Sequence, residues 1–391
     1  MNEERFETLS VRTQTKRSEQ MEHSTPLYMT SSFVFEHAEQ MRAMFADEIE
    51  GNIYSRFVNP TVREFEEKMM LLEGAEDALA TASGMAAMFN AMAALLNAGD
   101  HIVACRSLFG STHTVITKFL PKWNISHTYV DIDKPETWEG AIQSNTKLII
   151  AETPTNPTLE IFDLEWFANL CERHQVISLI DNCFATPYIQ QPIKYGIDLV
   201  AHSATKFIDG QGRGIGGLVA GKKDLIKEIK AFCRSTGPSL SPFNAWLFSK
   251  SLETLGLRMD RHCESAFELA KLLEDHPEVE RVSYPFLDSY PKQALAKRQM
   301  RLGGGLVSFV IKGGVERGKR FLDAIEIGSL TANLGDSRTI VSHPSSTTHA
   351  KLTEEERLAI GILPGLIRIS VGLESFSDIR SDIFQAIENS K

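Results

Sequence analysis

Lys206 closes the stretch Asp198-Leu-Val-Ala-His-Ser-Ala-Thr-Lys206, and Asp181 ends the apolar run Val176-Ile-Ser-Leu-Ile-Asp181. A lysine after one strand and an acid at the end of another can hold an aldehyde cofactor between them. The amine forms a Schiff base with the aldehyde of pyridoxal 5′-phosphate. The acid keeps the pyridine nitrogen protonated, so that the ring acts as an electron sink. Ser203 and Thr205 offer hydroxyls for the phosphate. Taken alone, Lys206 has a plainer reading, because a lysine after a short strand is usually solvated.

Five further groups bear on that reading. Ser83-Gly84-Met85-Ala86 follows a strand and opens an Ala-rich helix. Glycine permits the tight turn, and the helix-start amides point at an anion; an ordinary helix entry with Ser83 as N-cap fits as well. In Tyr54-Ser-Arg56-Phe-Val-Asn-Pro-Thr, Arg56 and the Tyr54 hydroxyl are suited to gripping a phosphate, or the segment simply starts a helix near Val62. Asn156 follows a strand between two prolines, where its amide can meet the ring hydroxyl, or the segment is a stiff turn. Phe109 beside Gly110 can stack on a pyridine face, although such an aromatic is more often core. Arg368 lies inside an apolar strand, which is costly unless it meets an anion. A substrate α-carboxylate suits it, as does an internal salt bridge.

The elements that must position these groups alternate. Strands are expected at 78–81, 101–105, 128–131, 147–151, 176–180, 199–202 and 217–220, with helical patterns between them. That alternation predicts a mainly parallel, doubly wound α/β sheet with its site off the strands' carboxyl ends. Residues 1–55 read as an extended arm and 56–250 as the α/β domain. Residues 251–391 read as a smaller α+β domain with strands at 279–283, 306–311, 339–341 and 366–370. One long helical stretch, Asn244 to Asp275, joins the two.

A chain of 391 residues suits two domains. Its net charge of −10 comes with no basic cluster, which argues against nucleic acid or an anionic membrane as partner. No apolar run reaches the length of a membrane span. The charged start lacks a signal-peptide core. Five scattered cysteines without C-x-x-C fit reduced thiols in a cytoplasm rather than a disulfide frame or zinc site.

Together these motifs resemble the Cys/Met-metabolism family of pyridoxal-phosphate enzymes. The match runs through Tyr-Ser-Arg-x-x-Asn-Pro-Thr at 54–61, Ser-Gly-Met at 83–85, Asn-Pro at 156–157, Asp181, His-Ser-Ala-Thr-Lys at 202–206 and Ile-Arg-Ile-Ser-Val-Gly-Leu-Glu at 367–374. The resemblance implies an aspartate-aminotransferase-like fold (type I), a small C-terminal domain and a homotetramer built from dimers. It implies Lys206 and Tyr54 as catalytic residues, with Tyr54 and Arg56 reaching the phosphate of a neighbouring subunit.

Within the family, Phe109 stands where most lyases and synthases carry tyrosine. Asn333 stands where many carry serine, and Ser111 where methionine γ-lyases carry cysteine. With Ala332-Asn333-Leu-Gly-Asp336, His343 to His349 and Asp209-Gly-Gln-Gly-Arg213, these lean toward the branch that replaces the succinyl group of O-succinylhomoserine with sulfide. Homocysteine and succinate are the expected products, with Arg368, Asn333 and Arg213 at the substrate. Cystathionine γ-synthase, acetyl-ester sulfhydrylase and γ-lyase activities are the alternatives. From other classes, Gly313 to Lys319 looks like a nucleotide P-loop, but Arg320 follows where Ser or Thr should bind Mg²⁺. Gly212 to Gly217 leads into a strand and not a helix, against a dinucleotide fingerprint. His343 and His349 lack helical ligand spacing and a completing thiol or acid, so no metal is expected. A non-catalytic scaffold is disfavoured by the joint presence of Lys206, Asp181, Arg56 and Arg368.

Overall fold

The protein is described by a computed structural model covering residues 5–348, 350–351 and 353–391; His349 lies outside the described residues. Two sheets form. The first holds β1 (Asp77–Thr81), β2 (His101–Cys105), β3 (Ser126–Val130), β4 (Thr146–Glu152), β5 (Ile177–Asp181), β6 (Leu199–Ser203) and β7 (Gly217–Gly221), in the order β1-β7-β6-β5-β4-β2-β3. β2 to β6 pair in parallel, and β7 runs antiparallel to both its neighbours. The second holds β8 (Val279–Ser283), β9 (Leu306–Ile311), β10 (Ser329–Leu330), β11 (Ile340–Ser342) and β12 (Leu366–Ser370), in the order β10-β11-β12-β9-β8.

β2 is buried along its whole length, as a parallel strand covered on both faces must be. Successive residues feed opposite layers. Ile102, Leu148, Ile150, Leu179 and Ala201 pack with the helices Gly84–Leu95 and Lys223–Thr236. Val103, Ile149, Ile180 and Val200 pack with Trp138 and the helix Leu164–His174. That parity decides where the polar strand ends point. Glu152 and Asp181 continue the face of Ile150 and Leu179, the face on which the helix beginning at Gly84 lies.

Two expectations are corrected. The stretch Asn244 to Asp275 is two helices, Pro242–Leu252 and Leu255–Glu274, because Thr254 leaves helical geometry at φ −114°, ψ 8°. The arm is not wholly extended: it holds helices Phe6–Arg12 and Ala38–Phe45. It is tied to its own chain, since the buried Glu64 carboxylate accepts from Thr15 N–H at 2.7 Å and from the Thr25 hydroxyl at 2.8 Å.

Candidate active site

The carboxyl ends of β4, β5 and β6 open into a cleft of about 780 Å³ whose lining includes Gly84, Phe109, Asn156, Asp181, Ser203, Lys206 and Arg368. Loops that follow strands of the first sheet and one strand of the second sheet converge there. Glycine makes two of the approaches possible. A Cβ on Gly84 would sit 2.7 Å from the Ser203 Cβ, so the helix start presses directly on the end of β6. A Cβ on Gly335 would sit 2.5 Å from the Phe207 backbone nitrogen, and Gly335 has φ +72°. The loop carrying Asn333 therefore lies flat against the Lys206 turn.

That contact puts Asn333 between two cations. Lys206 Nζ donates to Asn333 Oδ1 at 2.6 Å. Arg368 Nη2 donates to the Asn333 carbonyl at 3.1 Å, and Nη1 donates to Asn156 Oδ1 at 2.8 Å. Arg368 is only 5% exposed, and its Nε is buried without a hydrogen-bond partner. Among the described residues no carboxylate lies within ion-pair distance of it, so the internal salt bridge gives way to a buried guanidinium with donor capacity to spare. Burial lowers its pKa to about 10, which leaves it charged at neutral pH. Burial also lowers the basicity of Lys206, with Arg368 acting in the same sense and Asp181 against it. The amine thus sheds its proton more readily than an exposed lysine.

Asp181 accepts from Cys183 N–H at 3.1 Å. Burial raises its pKa, while His202 and Lys206 pull the other way. Glu152, unremarked in the sequence, stands in register beside it and is 4% exposed. It accepts from Phe109 N–H at 2.8 Å and Asn156 N–H at 2.9 Å. Phe109 is 44% exposed at the cleft wall, so it is not a core aromatic.

The remaining candidates are placed differently. The Ser83 hydroxyl accepts from Ala86 N–H at 3.0 Å as N-cap of the helix Gly84–Leu95. The first amides of that helix, at Gly84 and Met85, have no carbonyl one turn back inside it. Thr205 Oγ1 bonds the backbone of Gly216 at 3.2–3.3 Å. Arg213 is a correction: it does not line the cleft. Its Nε and Nη2 lie 3.1 and 2.9 Å from Asp209 Oδ1. Asp209 is fully buried, and a buried carboxylate requires such a partner. Tyr54 and Arg56 also lie outside this cleft; the Arg56 guanidinium is 5.6 Å from the Tyr54 ring and 4.7 Å from that of Phe57 and donates to the Arg234 carbonyl. In the P-loop-like segment, Lys319 pairs with Glu316 at 2.7 Å on the surface. Among the described residues there is no cluster of three or more His, Cys, Asp or Glu able to hold a metal, and no helix is long and apolar enough to cross a membrane.

A buried amine of lowered basicity, a strand-end acid, helix-start amides and an under-satisfied guanidinium thus line one cleft of an α/β fold, a donor set that fits an aldehyde cofactor. Residues 7–388 match the model of the Cys/Met metabolism PLP-dependent enzymes, and the chain belongs to that family. Its fold is the type I, aspartate-aminotransferase-like one and its cofactor is pyridoxal 5′-phosphate. It is 47% identical to an O-succinylhomoserine sulfhydrylase of Pseudomonas aeruginosa over 98% of this chain and 95% of that protein. It is 43% identical to an L-methionine gamma-lyase of Porphyromonas gingivalis over 94% of this chain and 92% of that one. A crystal structure from Campylobacter jejuni, described as an O-acetylhomoserine (thiol)-lyase, superposes with a TM-score of 0.94 at 34% identity. The match covers 98% and 99% of the two chains, and that protein carries a pyridoxyl-lysine phosphate at its position 205.

Proposed function

We propose that the chain catalyses γ-replacement on O-succinylhomoserine with sulfide, giving homocysteine and succinate. The observation that carries this reading is a cleft with cations at both ends. Arg368 is buried at the floor, and Arg106, Lys118 and Lys351 line the exposed mouth with Glu356 as the acid among them. An amino acid with a second carboxylate at the far end of its side chain suits that arrangement; an acetyl ester or methionine lacks the distal charge. The sulfhydrylase named above and a second one 42% identical, from Mycobacterium tuberculosis, support the same reading. Elimination is the second reading, because a relative of 43% identity is named a gamma-lyase.

In this proposal Lys206 anchors the cofactor, Asp181 faces its ring nitrogen, Phe109 covers one ring face and Asn156 lies near the ring hydroxyl. The amides of Gly84 and Met85, with Ser203 and Thr205, hold the phosphate. When bound, the protonated ring takes up the electron pair released as the α-proton leaves. The freed Lys206 amine removes that proton and then one from the β-carbon, and returns protons to the β- and α-carbons once the new bond at the γ-carbon has formed. Asn333 holds the amine on the Arg368 side, where the substrate α-carboxylate is bound, and so keeps it close to the α-carbon. The Cγ–O bond breaks with succinate taking the electron pair, and hydrosulfide supplies the new Cγ–S bond. Phe109 has no phenolic proton to contribute.

Product analysis with succinyl- and acetyl-homoserine, each with sulfide and with cysteine, and with methionine alone, tests the reading. Homocysteine from the succinyl ester should predominate; a keto acid and thiol from methionine at a higher rate would establish elimination instead. Removing both mouth lysines (K118A/K351A) should lower kcat/KM for the succinyl ester about 3- to 10-fold, since charged contacts at exposed sites are worth about 0.2–1 kcal/mol each. The acetyl ester should be nearly unaffected, and an equal loss on both would discard the mouth as the distal-carboxylate site.

Tyr54 and Arg56 take a place in this proposal only on a neighbouring copy, because they lie outside the cleft of their own chain. A shared site makes a dimer the smallest active unit, within a cytoplasmic homotetramer whose chains divide at about residues 55 and 250. Mixing K206A chains with R56A chains under subunit exchange should then restore activity that neither has alone, up to about a quarter of the unmutated level if pairing is random. No restoration in demonstrably mixed oligomers would place the phosphate grip elsewhere.

A further inference from the structure

We infer that Glu152 is a positioning residue that fixes the loop presenting Phe109 and the turn presenting Asn156, and through Asn156 sets the Arg368 guanidinium. The inference rests on the cofactor and substrate placement proposed above and assigns to that site a residue to which no role has been given. Glu152 is the last residue of β4, in register with Asp181 on β5 and on the same sheet face. Its two carboxylate oxygens are divided between two segments. Oε2 takes the N–H of Phe109, 43 residues away in sequence, at 2.8 Å; Oε1 takes that of Asn156 at 2.9 Å.

From there the bonds continue without a gap. Asn156 Oδ1 accepts from Arg368, the Asn333 carbonyl accepts from Arg368, and Asn333 Oδ1 accepts from Lys206. One acid therefore stands at the head of a chain linking the ring-covering aromatic to the carboxylate-binding arginine and the reactive amine. Burial and the adjacent Asp181 disfavour charge on Glu152, while the two amide donors favour it. An acid kept at so unfavourable a place is explained by a geometric need that an apolar side chain would not meet. The need is specific: only a carboxyl group offers an acceptor to each amide. Glutamine offers one acceptor and turns an NH₂ toward the second donor.

Glu152→Gln therefore frees one of the two segments while keeping the side chain's shape. The full-length chain, stripped of cofactor and titrated with pyridoxal 5′-phosphate, should bind it about 10-fold more weakly as E152Q, the effect of losing one buried hydrogen bond. The visible circular dichroism per bound cofactor, which reports ring orientation, should fall by about half or more, with KM for the amino acid raised more than kcat is lowered. The melting temperature of the stripped protein should stay within a few degrees of the unmutated value. Unchanged affinity and dichroism, or losses fully accounted for by unfolding of the stripped protein, would overturn the assignment. Should E152Q be recovered unfolded, E152D answers the same question, because it keeps both oxygens but draws them back by one methylene. Borohydride reduction and peptide mapping of the unmutated protein accompany these measurements. Cofactor on a peptide lacking Lys206 would remove the placement beneath the inference; cofactor on Lys206 with normal E152Q binding would remove only the role of Glu152.

Discussion

Replacing Lys206 with alanine should abolish turnover, lowering kcat roughly 10⁴-fold or more, because one change removes both the covalent anchor and the proton carrier. The effect is expected to be so large because neither the guanidinium nor the thiol that acts on this amine can take over its role. Arg368 stays charged at neutral pH. Cys183 lies in the lining, but burial pushes its thiol well above the ordinary range, so it is neither a ready nucleophile nor a base. The variant should still bind cofactor through the phosphate and ring contacts, more weakly and reversibly. Borohydride should then leave no cofactor on the peptide that contains residue 206, whereas the unmutated chain should retain it. Folding should be little affected, since the change leaves Asn333 Oδ1 as the one acceptor without its donor. Residual activity above about 1% of the unmutated rate, in protein free of contaminating enzyme, would mean that another group moves the proton.

The parts legible in the sequence were those whose environment is local. Most strands of the first sheet contain a short apolar run, and β2 or β5 can be placed because burial on both faces demands such a run. Asp181 and Arg368 stand out because a charge at the end of, or inside, an apolar strand is anomalous, and Lys206 stands out only in company with them. What escaped depends on contacts between distant segments. The reversed β7 is set by how β1 and β6 flank it, which composition does not record. Arg213 sits in a Gly-rich loop after the lysine, and nothing local shows that Asp209, four residues earlier, is buried and claims it. Glu152 is hidden among Ala-Glu-Thr-Pro, although, like Asp181, it closes an apolar strand-like run. An acid ending β4, in register with the acid ending β5, was the signal to follow. The lysines at the mouth come from a π-helical turn, Val115–Phe119, and from residue 351, segments with no periodicity to read. Asn333 stands out only through the family resemblance; its bridging of two cations depends on the close approach of Gly335 to Phe207.

Arg368→Ala should be the most damaging change to substrate binding. The guanidinium is buried, makes two hydrogen bonds through Nη1 and Nη2, and keeps Nε unpaired. An α-carboxylate meeting such a group in a low-dielectric site gains a charge-assisted bond, worth about 1.5–3 kcal/mol, and a fixed orientation besides. Its removal should lower kcat/KM by about 30- to 1000-fold, or roughly 2–4 kcal/mol, with most of the loss in KM. Part of the cost is indirect. Asn156 Oδ1 and the Asn333 carbonyl lose their donor, and the loop that holds Lys206 through Asn333 loses one of its ties. Lysine at 368 should recover little of the loss, because an ammonium cannot reproduce the planar fork that spans Asn156 and Asn333 while leaving a donor for the substrate. Two measurements separate binding from collapse of the site. Cofactor affinity should change by less than about threefold in R368A, and KM for the amino acid should rise at least tenfold. If KM were unchanged while cofactor affinity fell, Arg368 would be a brace for the cofactor loops, and the substrate carboxylate would have to be held by another residue of the cleft.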